Sequence, residues 1–305
     1  MCSSDLIAAS LQEMLELAIL HLARLAHKKT GMKTLCMAGG VTLNCSANGR
    51  LLREGPFDNY FFQPASGDAG TSLGAALYVN HVMEGRPRDS ARMLLEYLGP
   101  RHTMDEVLDT LEKGGIPYLK PADPWETAGQ LLARGFIGSV FQGAAEFGPR
   151  ALGNRSTLSD PRPAEMKDRL NASVKFREAF RPFAPSIHAH RANEYFEGCD
   201  FSPFMLRVFP TRPEKLDEAR AVTHVDGGAR VQTVTREQNP NYYRLIESFE
   251  KQTGTPMVLN TSFNIRGEPI VNSPSDAVKC YLTTGMDFLV LEDVLLVKNP
   301  SIIQS

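Results

Sequence analysis

The stretch EFGPRALGNRS at residues 146–156 places two arginines, Arg150 and Arg155, close to two glycines and a proline. A guanidinium group is planar, always charged and suited to bidentate contact with phosphate or carboxylate. Glycines beside it let the backbone come close to a ligand. The pattern therefore raises the hypothesis that this stretch holds an anion.

Two residue pairs further along the chain have a spacing that suits the same chemistry. On an extended segment, residues two apart face the same side, so both members of a pair can contact one ligand. Serine can donate to a phosphate oxygen, and asparagine can orient a phosphate or a ribose. The pairs are Lys175 and Arg177 in VKFREAFRPFAPS (174–186), and Ser262 and Asn264 in VLNTSFNIRGEPI (258–270).

Apolar residues around these cations favour a binding cleft. The alternative is a solvated charged face followed by the end of a hairpin. Phe176, Phe180 and Phe183 alternate with the charged residues of the first segment. Buried cations without an anionic partner are costly. The pattern therefore favours a partly buried cleft that takes a negatively charged ligand. Other candidates for its lining are Arg181, Asn260 and, in DGGARVQTV (226–234), Arg230.

Two glycine turns in the first hundred residues form a separate candidate site. AGGVTLN (38–44) follows an apolar segment, and backbone amides exposed near a helix start suit a phosphate or a nucleotide sugar. ASGDAG (65–70) carries Asp68, a hard oxygen ligand that suits Mg²⁺ or, in a mixed site, iron. The alternatives are a plain strand-to-helix turn for the first and a helix cap for Asp68.

Composition excludes several function classes. The formal net charge of −2 argues against a general nucleic-acid-binding or membrane-surface protein. Five scattered cysteines without a C-x-x-C pair are typical of reduced thiols in a cytoplasmic protein. We find no signal-peptide pattern and expect no apolar stretch near the roughly 20 residues of a membrane span. Walker A, G-x-S-x-G, H-E-x-x-H and Rossmann patterns are absent from the sequence.

The elements that must position these residues fall into two parts. Residues 1–92 contain a strand, a glycine turn and a helix twice in succession, which is typical of α/β structure. Charged and Pro/Gly-containing sequence at 85–103 marks the expected boundary. Residues 93–305 mix helix and strand signals, which predicts α+β structure or α/β structure with a mixed sheet. Helices are expected near 103–113, 124–134, 241–252 and 274–284, and strands at 116–119, 137–141, 183–187, 257–259, 288–291 and 294–297.

The first helix, expected at residues 5–29, is strongly apolar on one face. Such a face needs a covering element, and the following sixty residues offer few. The apolar positions are Leu6, Ile7, Leu11, Met14, Leu15, Ala18, Leu22 and Leu25.

Taken together, these motifs resemble the O-carbamoyltransferases of the nodulation-factor and antibiotic-tailoring type. The resemblance covers nearly the whole chain, in order. It is carried by LCMAGGVTLNCSANGRLL, QPASGDAGTSLGAAL, EFGPRALGNRS, LNASVKFREAFRPFAPS, HVDGGARVQTV and TPMVLNTSFNIRGEPIV.

The resemblance implies an actin-like (ASKHA) domain, in part, at 1–92 and a YrdC-like mixed α/β domain at 93–305. The second domain of such a protein uses carbamoyl phosphate and ATP to form carbamoyl-adenylate. The carbamoyl group then moves to a hydroxyl of a small acceptor, a natural product or a sugar. A divalent metal, Fe or Mg, assists in the actin-like domain.

The resemblance also assigns roles, because K-x-R and S-x-N are the family's signature in the second domain. As catalytic residues it implies Lys175, Arg177, Arg230 and Ser262. As binders of carbamoyl phosphate or the adenylate it implies Arg150, Arg181, Asn260 and Asn264, with Arg155 as a structural partner in the loop. It further implies nucleotide binding by Gly39, Gly40 and Asn44, and metal binding by Asp68.

The sequence departs from the family in one respect, since the first half of the actin-like domain and its paired-histidine metal motif have no match. The metal ligand set is therefore incomplete. Three interpretations stay open: a C-terminal piece of a carbamoyltransferase, one half of a split enzyme, and a module that only binds nucleotide or carbamoyl phosphate. A separate N-terminal half or a second copy of this chain are the candidate protein partners.

Overall fold

A computed structural model describes residues 3–88 and 97–303 of the protein. The chain divides into two units, Met1–Met93 with Leu206–Val208, and Leu94–Met205 with Phe209–Ser305. The boundary expected between residues 92 and 93 falls in the segment 89–96, outside the described residues, and stays a prediction.

The first unit is built around a strand–helix–strand arrangement, as the repeated glycine turns predict. Strands β1 and β2 pair in parallel, with Thr34 opposite Asn59, and a helix connects them. The α/β prediction for this part is confirmed. Its elements are α1 Ser3–Thr30, β1 Thr34–Met37, α2 Cys45–Glu54, β2 Asn59–Phe62 and α3 Gly70–Tyr78.

Helix α1 leaves the predicted apolar face exposed. Leu11 and Met14 are each 66% exposed, whereas Ile19, Leu20 and Ala23 on another face are buried. Polar contacts also attach α1 to α2, since Arg50 lies 3.0 Å from a carboxylate oxygen of both Glu13 and Glu16. The expected shortage of covering elements is therefore real within this unit.

Helix α1 corrects one expectation. Among the described residues, the segment Ser4–Thr30 is long and apolar enough to cross a membrane by length and composition. The expectation that no stretch reaches this length is therefore wrong. The feature is weak evidence for a span, because core helices of soluble proteins and signal sequences pass the same test.

The second unit contains a seven-stranded mixed sheet in the order β11-β10-β3-β4-β9-β5-β8. The pairs β10–β3 and β5–β8 are parallel, and the other four are antiparallel. The predicted mixed sheet is confirmed. The strands that follow β2 in the chain are β3 Gly138–Phe141, β4 Arg155–Ser159, β5 Ala184–His188, β6 Val208–Pro210, β7 Gly228–Arg230, β8 Gln232–Val234, β9 Met257–Ser262, β10 Phe288–Leu291 and β11 Val294–Val297. Of these, β6 and β7 pair with each other in a separate two-stranded sheet.

Six α-helices are described in the remainder of the chain, and their ends follow from capping residues. Thr103 and Ser273 each form a capping box, with Glu106 and Asp276 respectively. Proline at the first helical position after an Asp or Asn cap starts two others. The helices are α4 Met104–Lys113, α5 Pro124–Ala133, α6 Met166–Leu170, α7 Ala192–Tyr195, α8 Pro240–Thr253 and α9 Pro274–Leu282.

The main core of this unit lies where α5 and α8 pack on one face of the sheet. Trp125 and Leu132 of α5 and Tyr242 and Phe249 of α8 contact buried strand residues such as Val258. Each of these side chains is at most 2% exposed. The side chains of Val258, Asn260 and Ser262 lie on the same face of β9, because alternate residues of a strand share a face. The apolar core around Val258 therefore gives way to a polar region at the end of the strand.

Two strand expectations need correction. The segment expected at 116–119 makes only a single bridge, Leu119 to Leu295, and is not a strand of the sheet. Conversely β4, with the sequence RSTLS, is a central strand and all five of its residues are buried. Its polar sequence gives no strand signal, but the Thr157 hydroxyl pairs inside the sheet with that of Ser139 at 2.8 Å.

Candidate anion-binding site

A cavity of ≈ 100 Å³ lies at the polar end of β9. Pockets for drug-sized ligands run from about 300 to 1,000 Å³, so this cavity suits a group the size of phosphate or carbamoyl rather than a whole nucleotide. Three of its lining residues are arginines from three separate segments of the chain. Its polar lining consists of Arg150, Arg177, Arg230, Asn260, Thr261 and Ser262.

The cations of the cavity favour an anionic ligand. Arg177 is half-buried, and burial together with the charge of Arg181 lowers the pKa of its guanidinium. Arg150 and Arg230 line the same small space. Positive charges gathered in a partly desolvated space repel one another, and an anion bound among them relieves that cost. The cleft expected from the sequence is therefore present.

Arg177 is oriented by its neighbours. Its Nε donates to Asn171 Oδ1 at 2.8 Å, and its guanidinium lies over the ring of Phe183 at 4.7 Å. Phe183 is 2% exposed, whereas Phe176 and Phe180 are 49% and 77% exposed. Of the three phenylalanines expected to border the cleft, only Phe183 does so.

The extended geometry expected for Lys175 and Arg177 is wrong. Lys175 ends a π-helical turn, Asn171–Lys175, and Phe176 follows with φ 48 in the left-handed region. The two side chains therefore diverge, because the strand alternation that would align them is absent. Arg177 reaches the cavity, and Lys175 turns inward.

Lys175 is buried against the S-x-N residues. It is 3% exposed, and its Nζ donates to the Ser262 and Asn264 carbonyl oxygens at 2.5 and 3.0 Å. Nζ also lies 3.1 Å from Ser262 Oγ and 2.7 Å from Asn264 Oδ1. Burial lowers the pKa of Lys175 to about 7. The structure thus brings the two predicted pairs together, with the lysine ammonium bracing the turn that carries Ser262.

Ser262 and Asn264 differ in their relation to the cavity. Ser262 lines it, and its hydroxyl donates to Asn264 Oδ1 at 2.7 Å. Donation to a bound phosphate would require that hydroxyl to rotate. Asn264 stands behind it and donates to the Glu268 carbonyl at 2.8 Å. Asn264 therefore positions Ser262 and is not part of the cavity lining.

Arg181 also lies outside the cavity lining. Its side chain is 51% exposed and its Nε is 3.0 Å from Glu178 Oε2. Its contribution to the site is electrostatic, through the effect on Arg177 described above. Direct ligand contact by Arg181 stays a prediction.

The loop that carries Arg150 is organised by Glu146, the first residue of EFGPRALGNRS. Glu146 Oε1 accepts hydrogen bonds from the backbone amides of Leu152, Asn154 and Arg155 at 2.7, 2.8 and 3.1 Å. Gly153 within this loop has φ 109, and a Cβ there would meet the Tyr242 ring at 2.3 Å. One carboxylate thus closes the loop around Arg150.

Arg155 is structural, as expected. It is 0% exposed and donates to the carbonyls of Gln142 at 2.6 Å and Gly143 at 3.1 Å, with its guanidinium 3.5 Å from the centroid of the Phe141 ring. Burial lowers the pKa of Arg155 to about 10. The buried arginine ties β4 to the end of β3.

Replacing Arg155 by methionine is expected to lower the free energy of unfolding by about 2 to 6 kcal/mol, since the carbonyls of Gln142 and Gly143 lose a hydrogen-bond donor at about 1–3 kcal/mol each. Urea unfolding measures the loss. The matched control is Arg244→Ala, which removes an exposed ion pair with Asp123 and should cost about 1 kcal/mol or less. Equal losses in the two variants would contradict the structural role of Arg155.

The glycine turn proposed for nucleotide binding is largely engaged in the fold of the first unit. Gly39 has φ 99 and its amide donates to the Ser66 carbonyl at 2.8 Å. Asn44 caps α2 by accepting from the Ala47 amide at 3.0 Å, and its Nδ2 donates to Gln12 at 2.8 Å. Gly40 starts a 3-10 turn. A nucleotide role for Gly39, Gly40 and Asn44 stays a prediction.

Asp68 is exposed, and the alternative role as a side-chain cap is wrong. Helix α3 starts at Gly70 without any side-chain cap, and it is the Asp68 carbonyl that accepts from Thr71 Oγ1 at 2.6 Å. Within residues 3–88 and 97–303, no group of three or more His, Cys, Asp or Glu side chains converges on one point. One carboxylate does not make a metal site, so we derive no step through a metal.

Comparison with known proteins identifies the family. Residues 129–298 match the family described as Carbamoyltransferase C-terminus, and residues 2–77 match that described as Carbamoyltransferase N-terminus. The first match alone covers more than half of the chain. The chain belongs to the carbamoyltransferase family. The resemblance is therefore confirmed, and the class of enzyme is that of a transferase family.

Two curated relatives each match most of the chain. Nodulation protein NolO of Bradyrhizobium diazoefficiens is 48% identical over 98% of this chain and 55% of the relative. A 3'-hydroxymethylcephem-O-carbamoyltransferase of Amycolatopsis lactamdurans is 36% identical over 85% of this chain and 48% of the relative. The chain thus spans about half the length of the curated relatives it matches.

Among solved structures, HypF of T.kodakarensis is similar over 56% of this chain and 21% of that chain, with a TM-score of 0.39 and 17% identity. At that level the likeness carries no argument about the site.

Proposed function

We propose that the second unit of this chain binds carbamoyl phosphate and uses ATP to form carbamoyl-adenylate. The observation that carries this proposal is the convergence of Arg150, Arg177 and Arg230 on one small cavity beside Ser262, in a chain of the carbamoyltransferase family. Carbamoyl phosphate is a small dianion, and its size suits the cavity. Three arginines from different segments supply the charge that a dianion needs.

The reaction balances when one water is consumed. Water cleaves the acyl–phosphate linkage of carbamoyl phosphate, which yields carbamate and phosphate. A carbamate oxygen then attacks the α-phosphorus of ATP, and the bond between the α- and β-phosphates breaks to release pyrophosphate. The products are carbamoyl-adenylate, phosphate and pyrophosphate. Charge accumulates on the departing groups, so preorganised cations lower the barrier. Arg177 and Arg230 are the proposed catalytic cations, with Arg150 as a further anion contact.

In this mechanism, Lys175 and Asn264 act through Ser262. The ammonium of Lys175 holds the carbonyls of both S-x-N residues, which fixes the Ser262 hydroxyl at the cavity. Arg181 adds positive potential from outside the lining. We further propose the YrdC-like assignment for this unit and the partial actin-like (ASKHA) assignment for the first unit.

We also propose a subsequent transfer step. Carbamoyl would pass to a hydroxyl of a natural product or sugar, and AMP would leave. Gly39, Gly40 and Asn44 are the proposed nucleotide contacts, and Asp68 is one proposed ligand of a divalent metal, Fe or Mg. We propose a cytoplasmic protein without nucleic-acid or membrane partners.

Titration calorimetry with carbamoyl phosphate tests the binding proposal. We expect one site whose affinity falls as salt is raised, because the contact is between cations and a dianion. Inorganic phosphate should compete. Absence of binding by carbamoyl phosphate and phosphate in a folded protein would contradict the proposal.

A second candidate function is a split-enzyme subunit that binds these ligands but does not complete the transfer. The observation that favours it is the apolar face of α1, where Leu11 and Met14 are exposed. Such a face suits a separate N-terminal half or a second copy of this chain. Light scattering after size exclusion distinguishes a dimer from a monomer, and a Leu11→Glu, Met14→Glu variant should abolish any association through this face.

A further inference from the structure

Asn171 contacts Arg177 through both its side chain and its backbone. Asn171 Oδ1 accepts a hydrogen bond from Arg177 Nε at 2.8 Å, and the Asn171 carbonyl accepts one from the Arg177 amide at 3.3 Å. Asn171 is 2% exposed and lies outside the lining of the anion cavity. It therefore holds a cation of the cavity without occupying the space in which an anion would bind.

The turn that carries Asn171 is itself fixed. Asn171 begins the π-helical turn Asn171–Lys175, and its carbonyl also accepts from the amide of Phe176, whose left-handed backbone ends the turn. The Ser173 carbonyl accepts from the Gly285 amide at 2.7 Å, and a Cβ at Gly285 would lie 2.7 Å from Ser173 Cβ. Single π-helical turns are frequent at functional sites. This one packs closely against the segment that follows α9, which keeps Asn171 in place.

The other contacts of Arg177 further restrict its guanidinium. Nη2 donates to the Pro182 carbonyl at 3.3 Å, and the guanidinium lies over the Phe183 ring at 4.7 Å. Because Nε donates to Asn171, the N–H groups that can meet a ligand are those of Nη1 and Nη2. An arginine held in this way contacts an anion end-on, through the tip of its fork.

We propose that Asn171 is a positioning residue that holds the Nη end of Arg177 towards the cavity before the anion arrives, and thereby raises the affinity for carbamoyl phosphate. The inference rests on the proposed function and adds to it the residue that orients one of its cations. An arginine side chain has many rotamers, and fixing one of them on binding lowers the affinity. Orienting the side chain beforehand removes that cost, which corresponds to about 3- to 10-fold in the dissociation constant.

Asn171→Leu is therefore expected to weaken carbamoyl phosphate binding by about 3- to 10-fold in calorimetry. Leucine has a similar branched shape but cannot accept from Arg177 Nε. Asn193→Leu is the matched control, because Asn193 Oδ1 accepts from the Gly198 amide at 3.0 Å outside the cavity lining. It should leave the dissociation constant unchanged. Wild-type affinity in a folded Asn171→Leu variant overturns the inference.

A double-mutant cycle separates positioning of Arg177 from a general structural effect. If Asn171 acts through Arg177, adding Asn171→Leu to Arg177→Ala should change the dissociation constant by less than about twofold. An equal loss of affinity in both backgrounds would show that Asn171 supports the site independently of Arg177, and overturns the inference. Absence of carbamoyl phosphate and phosphate binding in the wild type would instead overturn the proposed function.

The wild-type protein provides a second test, which stands even if Asn171→Leu does not fold. In a ¹⁵N–¹H spectrum, the Nε–H resonance of Arg177 is identified as the one absent from Arg177→Ala. Its exchange with solvent should be slower than that of the exposed Arg244, because it is hydrogen-bonded to a buried acceptor. Exchange as fast as that of Arg244 would show that Asn171 does not hold Arg177, and overturns the inference.

Discussion

Replacing Arg177 by alanine is expected to weaken carbamoyl phosphate binding by about 10- to 100-fold, while Arg181→Ala changes it less than about threefold. The two residues are four apart in the chain, carry the same charge and differ in position. Arg177 is half-buried and lines the cavity, whereas Arg181 is exposed and paired with Glu178. A charge-assisted contact to a partly desolvated anion is worth about 1.5–3 kcal/mol, and a solvated charge outside the lining is screened.

Calorimetry at fixed ionic strength measures both variants. Arg177→Lys adds a further distinction, because lysine keeps the charge but loses the planar fork that contacts Asn171 and the ligand together. Its affinity should lie between those of wild type and Arg177→Ala. Equal loss in the Arg177→Ala and Arg181→Ala variants would mean that the cavity is not where the anion binds.

Replacing Lys175 by methionine is expected to lower carbamoyl-phosphate-dependent turnover by about 100-fold or more, although Lys175 does not line the cavity. The methionine fills similar space but leaves the oxygens of Ser262 and Asn264 without the ammonium that holds them. Displacement of a reacting group by about 1 Å costs on the order of 100-fold in rate. Lys251→Met, at an exposed position, is the control and should keep wild-type turnover.

Lys175 also makes the free energy of unfolding of the wild-type protein depend on pH, and Lys175→Met removes this dependence. Burial lowers the pKa of Lys175 to about 7 in the folded protein, against about 10.4 in an unfolded chain. Between these values the unfolded chain binds more protons, so stability must rise with pH across this window, by up to about 1.4 kcal/mol per pH unit. The penalty is full below pH about 7 and disappears as pH approaches the unfolded value.

Urea unfolding at pH 7, 8 and 9 checks this dependence. The free energy of unfolding of wild type, minus that of Lys175→Met, should increase with pH, and the same difference for Lys251→Met should stay flat. A difference that is constant or decreases with pH would show that Lys175 keeps its ordinary pKa in the folded protein.

Elements with local signals could be predicted from the sequence. Helix α4 begins after the Thr103–Glu106 capping box and α9 after the Ser273–Asp276 box. Apolar runs identified β10 and β11. Strand β4 could not be found this way, because it lacks an apolar run and contacts such as that of Thr157 with Ser139 on β3 exist only once the sheet has formed.

The site was predictable by residue type but not by arrangement. The sequence identifies the cations and the S-x-N residues. Which of them line the cavity depends on the left-handed backbone of Phe176 and on the contact of Lys175 with Ser262, 87 residues further along the chain. Glu146 had no local signal beyond its place in EFGPRALGNRS, since its role depends on three backbone amides that follow it.

Pyrophosphate release from ATP, measured with and without carbamoyl phosphate and without any acceptor, tests the central claim most directly. We predict release that requires carbamoyl phosphate, is accompanied by phosphate, and is lost in Arg177→Ala. Asp68→Ala should leave this release unchanged, since Asp68 is assigned to the transfer step. Binding of both ligands without any release of pyrophosphate would contradict the claim that this chain forms carbamoyl-adenylate.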